Sequence, residues 1–252
     1  GDSTLIITPT NKKILIDGGG SEKEEDNVGK NILLPFLLKK KVLSIDYIII
    51  SHFDSDHCGG LLYIINEIKV KNIIIGKQYE TSNNYEKFCK ILKGKNIKVY
   101  VVEANQILKP DKNIILDIIW PYNQDMISEN AINNNSLVFK FKYKDFSMLF
   151  TGDIEELAEK NILNKYKKEK LNATVLKVAH HGSKTSSIKE FIQVVSPKYA
   201  VIGVGKNNKF GHPAPKTLET LKSSIIYRTD LMGEIILKTD GKKMIKVKNI
   251  VK

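Results

Sequence analysis

The chain has 252 residues, 42% of them hydrophobic, enough for one large α/β domain or two small ones with a real core. No apolar run approaches the roughly 20 residues that a membrane-spanning helix needs. No signal peptide is expected; a chain opening directly on Ser3-Thr4-Leu5-Ile6-Ile7 reads as a domain cut from a longer protein. The formal charge of +12 suits a polyanionic partner, but nearly all of it is lysine, with Arg228 the single arginine. AT-rich coding accounts for part of that lysine, and without arginine forks at guanine edges no base-sequence readout is expected. Cys58 and Cys89 form neither a CxxC knuckle nor a disulfide framework.

In chain order, strands are expected over 3–8 and 14–16 around a turn at 10–13. The second ends in Asp17-Gly18-Gly19-Gly20, which lacks a P-loop lysine and reads as a sharp turn rather than a phosphate cradle. Polar residues 21–26 read as an exposed loop, and 28–40 as a helix with a proline kink or late start. Residues 45–50 form a buried strand running into His52, followed by helix 58–67, strand 71–76, helix 83–93 and strand 98–102. This βαβα alternation belongs to an α/β sheet. Strands then come at short intervals, 106–108, 113–119, 135–143 and 145–150, around a long asparagine-rich loop at 121–134. Helices at 154–164, 187–194 and 215–222 alternate with strands at 174–179 and 198–204, and strands at 225–228, 234–238 and 243–248 close the chain. With no internal repeat and no linker, a single domain over 1–252 with two sheets in the middle and helices outside is expected.

The five histidines, His52, His57, His180, His181 and His212, all lie at strand ends or in glycine-containing loops. His52-x-Asp54-x-Asp56-His57 packs four metal-type donors into six residues after a buried strand. Carboxylates so close repel unless a cation neutralises them, and a divalent ion does so while acidifying a bound water. The plain alternative is an exposed polar loop. Asp153 ends the apolar run Met148-Leu149-Phe150, where open α/β folds place reactive groups; alone, such an acid is more often the cap of the helix expected from 154. Leu176-Lys177-Val178 delivers His180 and His181 to a glycine loop, and strand alternation would set them on opposite sides. Ser186 and Ser187 stand at an expected helix start, as N-caps or as part of an anion site. His212, in Gly211-His212-Pro213, reads as a general acid, a phosphate-holding group or an inert turn residue.

Taken together, these segments resemble the metallo-β-lactamase superfamily and, within it, the C-terminal domain of the ComEC competence DNA-uptake proteins. The resemblance rests on Gly1-Asp2-Ser3, Ile16-Asp17-Gly18-Gly19-Gly20, Ser51 to Gly60, Asn134-Asn135-Ser136-Leu137-Val138, Leu149 to Glu155, Leu176 to Ser187, Gly205 to Pro213 and Tyr227-Arg228-Thr229-Asp230, in family order. It implies an αββα sandwich, with two mixed β-sheets and helices on the outside. It also implies two divalent metal ions, Mn²⁺ or Zn²⁺. His52 and Asp54 would serve one, Asp56 and His57 with His180 or His181 the other, and Asp153 would bridge. Asp54 stands where many members have a second histidine, and no histidine lies between His57 and His180. The first site is therefore the weaker and suits a harder ion such as Mn²⁺.

Catalytic roles fall by the same resemblance to Asp56 and His212, and substrate contacts to Asn135, Ser183, Lys184, Lys206, Lys209 and His212. The implied activity is a metal-dependent phosphodiesterase, a nuclease acting on incoming DNA without sequence specificity during natural transformation, with no small organic cofactor. The domain would be a soluble part of a membrane protein, working with that protein's channel portion on the extracytoplasmic side; the cytoplasm stays open as the other side. Two other readings stay open: hydrolysis of a smaller phosphoester such as phosphocholine or a cyclic nucleotide, and a DNA-binding module with a vestigial metal site. β-Lactam hydrolysis is not expected, since the ligand set differs and fold does not dictate function.

Overall fold

A computed structural model describes residues 1–21 and 27–250. The exposed loop expected over 21–26 lies outside the described residues from position 22 on. The chain divides into two compact units, one of residues 1–103 and 121–137, the other of residues 104–120 and 138–252.

The first unit is built on a five-stranded mixed sheet in the order β1 (Thr4–Ile7), β2 (Lys13–Ile16), β3 (Ser44–Ile50), β4 (Lys69–Gly76) and β5 (Lys98–Val102). β1 pairs antiparallel with β2, and the other pairings are parallel. The near-continuous apolar run of β3 follows from its place between two parallel neighbours: Ile45, Ile48, Ile49 and Ile50 are all buried. Pro35 lies in helix α1 (Leu34–Lys39), which continues directly from a single wide turn at Gly29–Leu33; the proline has no N–H to continue the ladder, and the irregular wide turn falls just before it. Helix α2 (Ser55–Glu67) buries Leu61, Ile64 and Ile65 at helical spacing, in one core with Ile48, Ile50, Ile73 and Ile75. Ser82 caps helix α3 (Asn83–Leu92), its hydroxyl accepting the Tyr85 N–H, and Phe88 joins the same core. A short helix, α4 (Ala131–Asn134), occupies part of the stretch expected to be loop; four asparagine-rich residues carry no apolar period to reveal it.

The second unit holds a seven-stranded mixed sheet. Its order is β12 (Ile225–Arg228), β11 (Tyr199–Ile202), β10 (Val175–Lys177), β9 (Phe146–Phe150), β8 (Val138–Tyr143), β7 (Ile114–Trp120) and β6 (Ile107–Asp111). β9 to β12 are parallel and the rest antiparallel. Helices α5 (Glu156–Lys165), α6 (Lys168–Leu171), α7 (Lys189–Val195), α8 (Pro215–Thr220) and α9 (Thr229–Met232) connect or follow these strands. A hairpin of β13 (Glu234–Thr239) and β14 (Met244–Ile250) ends the described chain. Among the described residues, no helix is long and apolar enough to cross a membrane. The architecture is thus α/β with two mixed sheets and helices.

Three local expectations are corrected. Strand β10 stops at Lys177, so alternation does not place His180 and His181. Instead both adopt left-handed backbone, φ 47° and 53°, in a tight turn over Ala179–Gly182. Helix α5 starts at Glu156 with Glu155 in the cap position, so Asp153 is not its cap. Helix α7 starts at Lys189 with Ile188 in the cap position, so neither Ser186 nor Ser187 is its N-cap.

Candidate metal centre

In the first unit the candidate residues gather where parallel strands end. Ile16 of β2 lies opposite Ile49 of β3, so Asp17 and Ser51 emerge at the same edge of the sheet. Asp17, with φ 53°, is buried and accepts three hydrogen bonds: from Ser51 N–H at 2.8 Å, from Ser51 Oγ at 2.7 Å and from His57 Nδ1 at 2.9 Å. The glycine run beside it serves close approach. A Cβ on Gly60 would collide with the Gly18 carbonyl, and one on Gly20 with the Ser55 carbonyl. The loop and α2 are joined instead by backbone bonds from Gly18 N–H to the His57 carbonyl, 2.7 Å, and from Gly60 N–H to the Gly19 carbonyl, 2.8 Å. Asp2 is buried there too, its N–H bonded to the Asp56 carbonyl at 3.1 Å.

For neutral imidazoles, the hydrogen-bond partners set the tautomer. A carboxylate only accepts, so His57 Nδ1 carries its hydrogen toward Asp17, and Nε2 of the neutral ring is the acceptor nitrogen. Ser51 spends its one hydroxyl hydrogen on Asp17 and therefore accepts from His52 Nδ1 at 2.9 Å. His52 Nε2 is then also an acceptor, and it faces Asp54 Oδ2 at 3.7 Å. Two acceptors facing each other repel unless they share a cation. Asp54 and Asp56 keep 41% of their side-chain surface exposed. Cys58 lies in the core, and burial, then Asp17 and Asp54, push its thiol up, so it stays a protonated, inert group.

The second unit repeats this logic. Phe150 of β9 lies opposite Lys177 of β10, and β11 ends alongside; Asp153, the His180-His181 turn and Gly203 all follow strand ends. His181 Nδ1 donates to the Gly203 carbonyl at 2.8 Å, leaving Nε2 as an acceptor 3.3 Å from Asp153 Oδ2. His180 reaches Asp153 at 4.0 Å and Glu155 at 3.4 Å. Its ring centroid is 5.8 Å from that of His212, which is held down from its ordinary pKa by burial and then by His180 and His181. Gly182, at φ 82°, closes the turn against Pro213, where a Cβ would sit 2.6 Å from that ring. Consecutive left-handed non-glycine residues cost energy and mark a site that its surroundings over-determine.

The other expected site residues are spread around these clusters. Asn135 is buried and committed to backbone: its oxygen takes Ile127 N–H at 2.9 Å, and its nitrogen reaches the Ile127 and Ala131 carbonyls, each at 2.7 Å. Ser183 is buried against Thr185, whereas Lys184, Lys206 and Lys209 are exposed. The backbone N–H groups of Ser187 and Ile188 do not form an anion site. They bond the two carboxyl oxygens of buried Glu159, at 2.7 and 2.8 Å. Burial pushes the Glu159 pKa up to about 8 against the pull of those two N–H donors. Since the folded chain then holds a proton that the unfolded chain has lost, stability contributed below an ordinary glutamate pKa declines as pH rises toward 8. Urea unfolding between pH 5 and 9 should show a stability slope approaching about 1.4 kcal/mol per pH unit that Glu159→Gln lacks; identical slopes would refute this.

Asp2 and Asp17 were not expected as site residues. The signal for Asp17 was available: an acid directly after a buried strand, as at Asp153. Asp2 and His57 in the first unit are buried and can each offer a metal one ligand atom, and so can buried Asp153 and His181 in the second. Imidazole Nε2 atoms with their hydrogens locked at Nδ1, beside carboxylates, fit a divalent metal ion.

A sequence profile of the metallo-β-lactamase superfamily matches residues 1–206. The chain belongs to that superfamily, and membership implies divalent-metal binding and metal-dependent hydrolysis as the coarse activity class. It is 34% identical over 248 residues to ComE operon protein 3 of Bacillus subtilis, covering 93% of this chain and 31% of that protein. It is 27% identical over 236 residues to competence protein ComA of Neisseria gonorrhoeae, covering 92% of this chain and 30% of that one. The chain thus spans about a third of the length of these curated relatives. In fold it is similar to a putative metal-dependent hydrolase from Parabacteroides distasonis, with a TM-score of 0.55 and 15% identity over 90% of this chain and 89% of that one.

Proposed function

We propose that the chain is a metal-dependent phosphodiesterase that cleaves DNA during uptake, as one domain of a larger membrane protein and on the extracytoplasmic side. The observation that carries this is the set of imidazoles whose Nδ1 hydrogens are fixed, so that Nε2 lone pairs face carboxylates at His52–Asp54 and His181–Asp153. Two divalent ions, Mn²⁺ or Zn²⁺, are the cofactors of this reading; Asp2, His52, Asp54, Asp56 and His57 are the candidate ligands in the first unit, and Asp153 with His181 or His180 those in the second. The ion served by His52 and Asp54, the set that lacks a further histidine, would be the looser. Such ions supply Lewis acidity and an acidified water.

The chain's own residues do the rest. Asp17 orients His57 through Nδ1, and Gly203 orients His181. His212 holds a phosphate oxygen or moves a proton at the leaving oxygen. Exposed Lys184, Lys206 and Lys209 hold the backbone without reading bases. Competence proteins among the relatives, and a net charge of +12, support DNA as the polyanion.

Cleavage of a labelled oligonucleotide by metal-loaded protein tests this. Binding should weaken steeply with salt, and Lys206→Ala with Lys209→Ala should weaken it about equally for every sequence. His212→Ala should lower turnover by about 10²-fold with metal retained. Rapid turnover of a phosphocholine ester or cyclic nucleotide without DNA cleavage would replace the nuclease with the small-ester reading. DNA binding with no turnover of DNA or of a small ester, even by metal-loaded protein, would leave a binding module with a vestigial site.

A further inference from the structure

The loop that leads from β11 to His212 exposes a large aromatic ring to water: Phe210 is 67% exposed. The loop is closed rather than loose. The Asn208 side chain accepts His212 N–H at 2.9 Å and donates to the His212 carbonyl at 2.7 Å and the Gly205 carbonyl at 3.3 Å. The Phe210 ring lies nearly parallel to that of His212, with centroids 5.8 Å apart and planes 20° apart. His212 in turn neighbours His180, whose Nε2 is 4.0 Å from Asp153. Lys209 Nζ lies over the Phe210 ring, 5.2 Å from its centroid, at the end of a flexible exposed side chain that an incoming base can displace toward the phosphate, and Lys206 is exposed in the same loop. A flat ring, a flanking cation and a row of rings leading to a candidate metal ligand are thus presented together.

We propose that Phe210 is a stacking platform for one base of single-stranded nucleic acid. It sets the adjoining phosphate toward His212. The inference rests on the nuclease reading and adds to it the form of the substrate. A base has a π-face whatever its identity, so stacking holds a strand without reading it, in keeping with a surface that relies on lysine. In a duplex those faces are covered by neighbouring pairs, so the platform selects single strands or frayed ends.

The test compares kcat/KM for a single-stranded oligonucleotide and for an abasic strand of the same length and charge. The native protein should prefer the base-bearing strand by roughly 5- to 150-fold, the range set by one base–aromatic stack. Phe210→Ala should bring that ratio to within about twofold of one, through KM. Phe210→Trp should restore it, with tryptophan emission quenched as the strand binds. Equal losses on both strands in Phe210→Ala, or no preference in the native protein, would overturn the platform. If nothing is cleaved, fluorescence anisotropy of labelled strands separates the two ideas. Base-dependent binding that Phe210→Ala removes keeps the platform and overturns only the nuclease chemistry; no binding to either strand overturns both.

Discussion

His57→Ala is expected to abolish hydrolysis while leaving most salt-sensitive DNA binding in place. His57 is fully buried, its Nδ1 is bonded to Asp17 at 2.9 Å, and it can offer a metal one ligand atom. Its loss removes a ligand and no surface charge, so affinity from lysine–phosphate contacts persists. Asp17 keeps its two bonds from Ser51, which lets the loop hold its shape. Asp17→Asn makes the finer cut. An amide nitrogen turned toward His57 would push the hydrogen to Nε2 and blunt the donor, for a loss of about 10- to 100-fold in metal affinity or activity. Removing the ligand itself should exceed that. Metal analysis, initial rates and DNA titrations at low and high salt read both variants; wild-type rates in His57→Ala would sink the assignment.

Metal removal is expected to lower the melting temperature substantially. Buried carboxylates and imidazole lone pairs face one another at His181–Asp153, and more openly at His52–Asp54. A ligand that binds only the folded state stabilises it by about 4 kcal/mol at a thousandfold excess over its Kd. For a chain of this size that amounts to a shift on the order of 10 °C. Calorimetric titration of the stripped protein should resolve one tight and one loose ion. An unchanged melting temperature in excess chelator, starting from metal-loaded protein, would contradict the first claim, and two equal tight sites the second.

Much of this was legible in the sequence because the strands are short, apolar and sharply bounded. Residues 98–102 and 225–228 were expected as strands and form β5 and β12. Helix starts were less legible. α2 begins at Ser55, three residues before its apolar spacing does, because its first turn holds Asp56 and His57 in place of core residues. The turn at His180 was hidden by Val178 and Ala179, which prolong the apolar pattern after β10 has ended. Asp2 was hidden as a lone acid; Asp17 carried the same strand-end signal as Asp153, but its role comes from the bonds with Ser51 and His57, which the sequence does not show. The division into two units left no linker to find, because residues 104–120 and 121–137 belong to different units and the chain passes between them inside ordinary element boundaries.

Stepwise reloading of metal-free protein with Mn²⁺ or Zn²⁺, with bound metal and cleavage of a labelled single-stranded oligonucleotide measured on the same samples, is the most direct test. Cleavage should be absent in stripped protein and rise with bound metal as the second ion enters. Metal-loaded protein that cleaves neither single- nor double-stranded DNA, or cleavage that does not depend on bound metal, would contradict a metal-dependent nuclease.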